Sequence, residues 1–349
     1  MTTISADHQK IQSWIIMDSY LDIESSSMHA MDSDTTLIIT DDLDIVQIQR
    51  RLLSLLNKML CFETGVLKVT QTGKYNRIGH FVKEAISGLT LLERSISEFQ
   101  QLHPTLRLFS SVLKPHGMTE LSATDATVIN RVLRQFREEA QSTSHKRQLR
   151  NFQRAASKNL KGSLAYVDHL FEHYSRLLVV RVDLSYQKDI IRNKTISTAM
   201  TRAHRKCLFK RIHVHPLFEN CLGYLWKLEY GQRKGFHYHT CFFFDGSKVR
   251  GDVILARRIG EFWKNEITEG KGLYFNCNAI ASNYAQSGIG DIHYTNQEKR
   301  CALQKAITYI TKLDTTVRIV LPQSARTFGR GECITQKEKK RGRPRNNLG

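Results

Sequence analysis

The sequence has no uninterrupted apolar run of transmembrane length, and its N-terminus lacks the basic and apolar segments of a secretory signal. We therefore expect neither a membrane span nor secretion. A Gly-Lys-Ser/Thr loop of the Walker type is also missing, so no built-in helicase is expected. The seven cysteines are scattered and form no Cys-x-x-Cys pair, which argues against a zinc knuckle or a redox motif. Reduced thiols in the cytoplasm are the simplest account.

Acidic residues are fewer than basic ones and unevenly placed. The chain has 52 lysines and arginines against 33 aspartates and glutamates, a formal net charge of +19. The first 50 residues hold nine acids and two bases, a net −7, so the remaining residues carry +26. Such an excess indicates a polyanionic partner, most simply DNA, although a merely soluble basic protein is the alternative.

Composition and periodicity divide the chain into four regions. We expect an acidic flexible N-terminus (1–44), a mainly helical accessory region (45–165), a mixed region with the candidate chemistry (166–332) and a basic tail (333–349). One predicted helix of the accessory region, 145–160, is strongly basic, so its exposed face is either solvated or DNA-facing. The predicted helices are 45–60, 76–101, 124–141 and 145–160.

The mixed region has the element order β-α-β-β-α-β. This order predicts an α+β fold with a ferredoxin-like, split βαβ antiparallel sheet in which the two central strands form a hairpin. The fourth strand is left open between Tyr274–Ile280 and Ile289–Tyr294. The other predicted elements are strands 177–184, 222–230 and 236–244 and helices 198–211, 249–267 and 297–313.

The central hairpin contains the most informative residues. If residues 231–235 form its loop, Tyr230 pairs with Phe236 and Glu229 lies opposite His237. His237 and His239 are two positions apart, so both point to the same side of the strand. Two imidazoles and a carboxylate would then form a three-ligand site for a divalent metal, with open positions. The alternative is two polar residues on a solvated face, because a one-residue slip would turn Glu229 away.

A second His-x-His pair has the same spacing but lacks the surroundings expected of a metal site. His213 and His215 have the same spacing, but Pro216 follows at once and no acidic residue precedes them in a hairpin. We interpret both as surface or nucleic-acid-facing residues.

The last predicted helix carries a second chemical feature. Lys305 and Lys312 lie four residues before and three residues after Tyr309, so all three share one helix face. Ammonium groups and a metal-bound phosphate would favour the phenolate of Tyr309, whereas an ordinary half-buried tyrosine is the alternative. The residues expected to face the sheet are Ala302, Ala306, Ile310 and Leu313.

These motifs together resemble a known superfamily. FHYHTCFFF with Glu229 upstream, and YITK on a later helix, are similar to the HUH endonucleases that initiate rolling-circle replication. LLVVRVDLSY and RTFGRGE add a resemblance to inovirus-type replication proteins with a YagK/YfjJ-like C-terminal domain. The resemblance covers roughly residues 170–332.

The resemblance implies an HUH-like fold and specific roles. His237, His239 and Glu229 would bind Mg²⁺ or Mn²⁺, Tyr309 would attack a DNA phosphate, and Lys312 matches the motif lysine. Asp183 lies in the strand of the first motif, and its role stays open. Some phage initiators have two tyrosines on the nucleophile helix, whereas this helix has one.

The basic tail contains the segment RGRPR. Its Arg341, Arg343 and Arg345 resemble an AT-hook, a short extended segment that places arginines in the narrow minor groove of A·T tracts. A disordered basic tail with general DNA affinity is the alternative.

From this resemblance, together with the basic charge, we expect a metal-dependent, DNA-nicking and strand-joining initiator of rolling-circle replication for a phage, prophage or plasmid-like element. Tyr309 is the expected nucleophile, Lys305 a DNA contact, and a host helicase would unwind the DNA. The alternatives are a non-enzymatic DNA-binding regulator and a relaxase-type nickase of a mobile element.

Overall fold

The structure is a computed structural model. The predicted flexible N-terminus and the AT-hook-like tail lie outside the residues that it describes. Those residues are 48–61, 68, 74–96, 100–117, 126–193, 195–231, 234–283, 287–312, 317–319 and 326–332. Within them, no helix combines the length and the apolar character needed to cross a membrane.

Among the described residues, four helices form the N-terminal half: α1 (48–61), α2 (Arg77–Ser95), α3 (Pro104–Leu113) and α4 (Ala126–Gln141). The sequence predicts α1, α2 and α4, whereas α3 was not predicted. The apolar faces of the four helices meet in one core that includes Leu56, Leu89, Phe109 and Phe136. The predicted helix 76–101 is too long, because Ile96 after α2 is extended and Gln100–Leu102 forms strand β1. This strand pairs with a segment more than 200 residues away, and local periodicity carries no signal of such a pairing.

A single 31-residue helix, α5 (Thr143–His173), connects the two halves and is much longer than the predicted 145–160. Ser142 caps it by accepting a hydrogen bond from the His145 amide. Its first half contacts the helical region, where Phe152 lies edge-on to His103. Its second half packs on the sheet through Tyr166 and Leu170, so the predicted boundary at 165/166 falls inside a continuous helix.

The C-terminal half contains one open antiparallel sheet. Its order is β5-β2-β4-β3-β8, with β6 also paired to β2, and every pair is antiparallel. The predicted strands and helices are all present. Their bounds are β2 (Arg176–Tyr186), α6 (Lys188–Arg192), α7 (Thr198–Arg211), β3 (Cys221–Gly231), β4 (Gly235–Asp245), α8 (Asp252–Phe262), β5 (Gly272–Asn276), β6 (Gly290–His293), α9 (Gln297–Lys312), β7 (Val317–Ile319) and β8 (Phe328–Arg330).

Both candidates for the fourth strand occupy the same edge of the sheet. β2 has 11 residues, and its second half pairs with β5 while its first half pairs with β6. The two short strands therefore share one long neighbour, and both candidate segments contain a strand of the sheet. Strand β7 lies apart and pairs with β1 of the N-terminal half.

The sheet is covered on both faces. On one face Leu208 of α7, Ile259 of α8 and Trp263 of the π-helical turn after α8 pack against Val180 and Phe242. On the opposite face, which we call the α5/α9 face, the two helices cover a second apolar cluster that includes Tyr166, Leu170, Val179, Phe243, Leu303 and Ile307.

Replacing two helical glycines with alanine should have opposite effects on the stability of the fold. A Cβ on Gly260 of α8 would lie 2.1 Å from the ring of Tyr274 on β5, whereas a Cβ on Gly162 of α5 would meet nothing closer than 3.8 Å. Gly260→Ala should lower the free energy of unfolding by about 1–3 kcal/mol through overpacking. Gly162→Ala should raise it by up to about 1 kcal/mol through helix propensity. Urea unfolding of both variants measures the difference, and an equal effect of the two would contradict the packing described.

Candidate metal centre

The hairpin β3–β4 has the register that the sequence predicts. Tyr230 pairs with Phe236 and Glu229 with His237. Gly231 and Gly235 also pair, so the turn is shorter than the expected five-residue loop. Gly235 has φ of 60°, a left-handed conformation that glycine adopts without steric cost. The tight turn fixes the register and thereby the face on which each side chain lies.

Glu229, His237 and His239 converge on the α5/α9 face. The Glu229 Oε2 atom lies 3.6 Å from His237 Nε2 and 3.2 Å from His239 Nε2. One potential ligand atom from each residue lies within 4.8 Å of the other two. The three side chains are only 5–13% exposed. The carboxylate and imidazoles therefore form one buried cluster and not a solvated polar face.

A third strand contributes Asp183, whose role the sequence left open. It lies opposite His239 across the β2–β4 pair, with its Oδ1 atom 2.9 Å from His239 Nδ1. This is an ion-pair contact, whereas the hydrogen bond of the imidazole runs from His239 Nε2–H to Glu229 Oε2 at 3.2 Å. A carboxylate beside the second ring nitrogen orients a metal-binding histidine, and Asp183 occupies that position next to His239.

The other imidazole is oriented by the backbone. His237 Nδ1 lies 3.1 Å from the carbonyl oxygen of Gly235. A carbonyl can only accept, so Nδ1–H is the donor and Nε2 carries the lone pair. Both histidines thus present Nε2 towards Glu229.

The charges in the cluster stabilise one another. Burial alone would raise the pKa of the Asp183 carboxyl, but His239 and Arg181 lower it to about 2. Burial likewise opposes ionisation of Glu229, yet His239 and His237 hold its pKa far below the usual range. Burial would lower the pKa of His239, whereas Asp183 and Glu229 raise it to about 10. The imidazolium of His239 thus stabilises both carboxylates, and a divalent ion bound here would take the place of its Nε2 proton.

The residues present fit a divalent metal at this position. Glu229 Oε1 is buried and has no hydrogen-bond partner among the described residues. Two ligand atoms on one ion, each about 2.1 Å from it, lie about 3.0–3.4 Å apart at angles near 90–110°. The separations of 3.2 Å and 3.6 Å measured from Glu229 Oε2 are close to this range. Two imidazoles, one carboxylate and water suit Mn²⁺, and Mg²⁺ where further oxygen ligands are supplied.

Tyr309 approaches the same face of the sheet. Its ring centroid lies 5.6 Å from the guanidinium carbon of Arg181, whose Nε atom is 3.8 Å from Asp183 Oδ1. A continuous series of contacts therefore runs from Tyr309 through Arg181 and Asp183 to His239. The sequence analysis had not singled out Arg181. The sequence feature that could have identified Arg181 is a basic residue two positions before Asp183 in an otherwise apolar part of the strand.

The face of α9 that packs on the sheet differs slightly from the prediction. The buried apolar residues are Ala302, Leu303, Ile307 and Ile310, and Ala306 is only partly buried. Leu313 lies outside the described residues. The rotation follows from size, because the larger Leu303 and Ile307 bury more apolar area than Ala306 would.

The remaining predicted residues are placed as follows. Lys305 is exposed on α9, and Lys312 ends this helix with a side chain that the structure does not describe. His213 and His215 are not part of the cluster. His213 is exposed, and His215 caps a short 3₁₀ turn through its Nδ1 atom. Arg341, Arg343 and Arg345 lie outside the described residues.

Lys227 is a further residue that the sequence analysis missed. It lies directly opposite His239 on β3 and is only 2% exposed. Because directly opposed residues share a face, its side chain lies on the α5/α9 face between Glu229 and the apolar cluster. The sequence signal for Lys227 is its position two residues before Glu229, because alternate residues of a strand share a face.

The family model described as YagK/YfjJ C-terminal domain matches residues 138–331, which include α5, the whole sheet and α9. No curated protein and no solved structure matches the chain significantly. The match covers more than half of the 349 residues, and the chain therefore belongs to the YagK/YfjJ C-terminal domain family.

Proposed function

We propose that this protein is a metal-dependent, DNA-nicking and strand-joining initiator of rolling-circle replication of the HUH type. The observation that carries the proposal is the buried cluster of Glu229, His237 and His239 with Asp183 behind it. Burying charges is costly unless they are paired or hold a metal. A metal centre explains why four ionisable side chains converge here in place of apolar ones.

The sheet topology supports an HUH-like, split βαβ fold. Strands β2, β3, β4 and β5 are arranged in the spatial order β5-β2-β4-β3, with α7 between β2 and β3 and α8 between β4 and β5 in the chain. This is the arrangement expected when two βαβ units interlock so that each encloses a strand of the other. It places the hairpin histidines on the face opposite α7 and α8, where α9 packs.

In the proposed reaction Tyr309 is the nucleophile. Its phenolic oxygen would form a bond to phosphorus while the bond from phosphorus to the 3′ oxygen breaks. The products are a 5′-phosphotyrosine and a 3′-hydroxyl, which takes up the proton that the phenol loses. Mg²⁺ or Mn²⁺, when bound, would polarise the phosphate and offset the charge that develops on it. The covalent link keeps the phosphodiester available for rejoining.

The chain's own cations would hold the phosphate. Arg181 lies between the Tyr309 ring and Asp183, where its guanidinium could pair with a phosphate oxygen as the tyrosine approaches. Lys305 lies one helical turn before Tyr309 and is exposed, so it suits a contact to a neighbouring phosphate of the DNA backbone. We assign Lys312 the same kind of role from its position alone.

A stripe of cations on α5 supports DNA as the partner. Five exposed basic residues recur at spacings of three or four, so they share one helix face about 21 Å long. They are Arg147, Arg150, Arg154, Lys158 and Lys161. This α5 stripe favours the DNA-facing interpretation of the basic helix. Strand separation would be the task of a host helicase, and the tail arginines would add minor-groove contacts.

The same stripe also suits the second candidate function, a DNA-binding regulator that does not cleave. A relaxase-type nickase would use the same residues as the initiator and differ in the DNA that it recognises. Covalent attachment to DNA separates the two enzymes from the regulator.

Tyr309→Phe should abolish the covalent adduct, because phenylalanine has no oxygen that can attack phosphorus. Wild-type protein incubated with single-stranded origin-region DNA and Mn²⁺ should give an adduct on denaturing gels, and EDTA should prevent it. Tyr294→Phe is the matched control, since it removes a phenol to which no role is assigned. The enzyme proposal fails if wild type forms no adduct with Mn²⁺ or Mg²⁺, or if Tyr309→Phe still forms it.

Asp183→Asn should weaken metal binding without removing a ligand. The amide keeps the size of the side chain but loses the charge that holds His239 Nδ1, so Mn²⁺ affinity should fall about 10–100-fold. Calorimetric Mn²⁺ titration measures the affinity, and saturating Mn²⁺ should restore nicking. Asp189→Asn on α6 is the control with an exposed carboxylate. An unchanged affinity in Asp183→Asn would contradict the positioning role.

Neutralising part of the α5 stripe should reduce the salt dependence of DNA binding. In the triple variant Arg150→Gln/Arg154→Gln/Lys158→Gln, the slope of log affinity against log salt should decrease by about 0.7 for each lost phosphate contact. Fluorescence anisotropy with a single-stranded oligonucleotide measures this slope.

The control neutralises three exposed cations near and on α8, on the other face of the sheet, as Arg250→Gln/Arg257→Gln/Arg258→Gln. If both triple variants change the slope equally, the DNA does not follow α5.

A further inference from the structure

The end of α5 carries a second cluster of metal-ligand types. His169, Glu172 and His173 lie at positions i, i+3 and i+4, so they share one helix face. His169 Nδ1 is 3.4 Å from Glu172 Oε2, and the two imidazole centroids are 4.4 Å apart. One potential ligand atom from each of the three lies within 4.8 Å of the other two. Among the described residues, this group and the hairpin cluster are the two that meet this criterion.

The orientation of His173 suits ligation. Its Nδ1 atom is 2.9 Å from the carbonyl oxygen of His169, and a carbonyl only accepts, so Nδ1–H is the donor. The Nε2 lone pair therefore points away from the helix backbone. A metal-binding histidine commonly donates its other ring N–H to a backbone carbonyl in this manner.

The surroundings also favour a cation. The cluster occupies the last two turns of a 31-residue helix, where the aligned peptide dipoles leave partial negative charge. Glu172 adds a carboxylate that is 68% exposed, and His169 is 28% exposed. An ion bound here would be reached from solvent and would keep open positions for water.

The cluster has no part in the proposed nicking reaction. Its helix turns lie over the apolar part of the α5/α9 face, beside Phe171 and Leu170. The hairpin site draws its ligands from β3 and β4 instead. The two sites can therefore be occupied, and removed by substitution, independently.

We propose that His169, Glu172 and His173 form a second metal site, which binds a transition metal ion of the Zn²⁺, Co²⁺ or Ni²⁺ type. Two imidazoles favour these ions over Mg²⁺, whose preferred ligands are oxygens. The hairpin has the same donor types, but there a DNA phosphate would add the oxygen ligands that suit Mg²⁺ or Mn²⁺. No phosphate contact is assigned to the α5 cluster, so no phosphate oxygen would join its ligands. Its preference among metal ions is therefore set by the two imidazoles.

The site is tested with Co²⁺ in the full-length chain. Wild type should bind two Co²⁺ ions, one at each site, and His169→Gln/His173→Gln should bind one. In a hairpin-disabled variant, His237→Gln/His239→Gln, one ion should remain, with a visible absorption spectrum that disappears when the α5 pair is also substituted. Substituting His169 and His173 in the hairpin-disabled variant should lower the Co²⁺ affinity of the α5 site at least about tenfold. His213→Gln/His215→Gln removes two other imidazoles and should change neither ion.

The outcomes separate the two proposals. Loss of the α5 imidazoles should leave metal-dependent nicking by wild-type hairpin residues unchanged, so each site can fail alone. If Co²⁺ binding is the same with and without His169 and His173, the ion lies elsewhere and the α5 site is refuted. If Glu172→Gln has no effect but the histidine pair does, the carboxylate is not a ligand and that part of the proposal is wrong.

Discussion

The contact between His239 and its two carboxylates is the constraint on which the centre of the structure depends. The imidazole lies 2.9 Å from Asp183 on one neighbouring strand and 3.2 Å from Glu229 on the other. Buried charges of this kind are stable only while each keeps its partner. A slip of one residue in either strand pair would bury an unpaired charge and turn the histidines to the opposite face. The ion contacts and the three-strand register therefore specify each other.

The same face of the sheet changes character along its strands. One end is apolar, with Leu177, Val179 and Phe243 under α5 and α9. Two and four residues beyond Val179 on β2, the side chains become Arg181 and Asp183, and His239 lies opposite Asp183 on β4. Helix α9 follows this change, since Leu303 and Ile307 pack on the apolar end and Tyr309 meets Arg181 where polar residues begin. The position of the candidate nucleophile thus follows from where the apolar surface stops.

The sequence predicted what depends on short-range pattern. Alternation and a glycine-bounded turn were enough to pair Glu229 with His237, because a hairpin's register is set by residues close in the chain. Asp183 was seen but given no role, since its partner is 56 positions away and strand order decides whether they meet. The β1–β7 pairing and the extension of α5 to His173 were missed for the same reason. Both depend on contacts between the two halves of the chain.

The two candidate metal sites show how surroundings, and not donor types, separate their chemistry. Each offers two imidazoles and one glutamate. In the hairpin, donors come from two strands, are almost buried, and are held by Asp183 and the Gly235 carbonyl. On α5 they come from one helix and are partly exposed, so little is fixed before an ion arrives. In the proposed reaction, a buried and preorganised site would act on a bound phosphate, because its dipoles need not rearrange as charge develops. The exposed site lacks that property and suits binding alone.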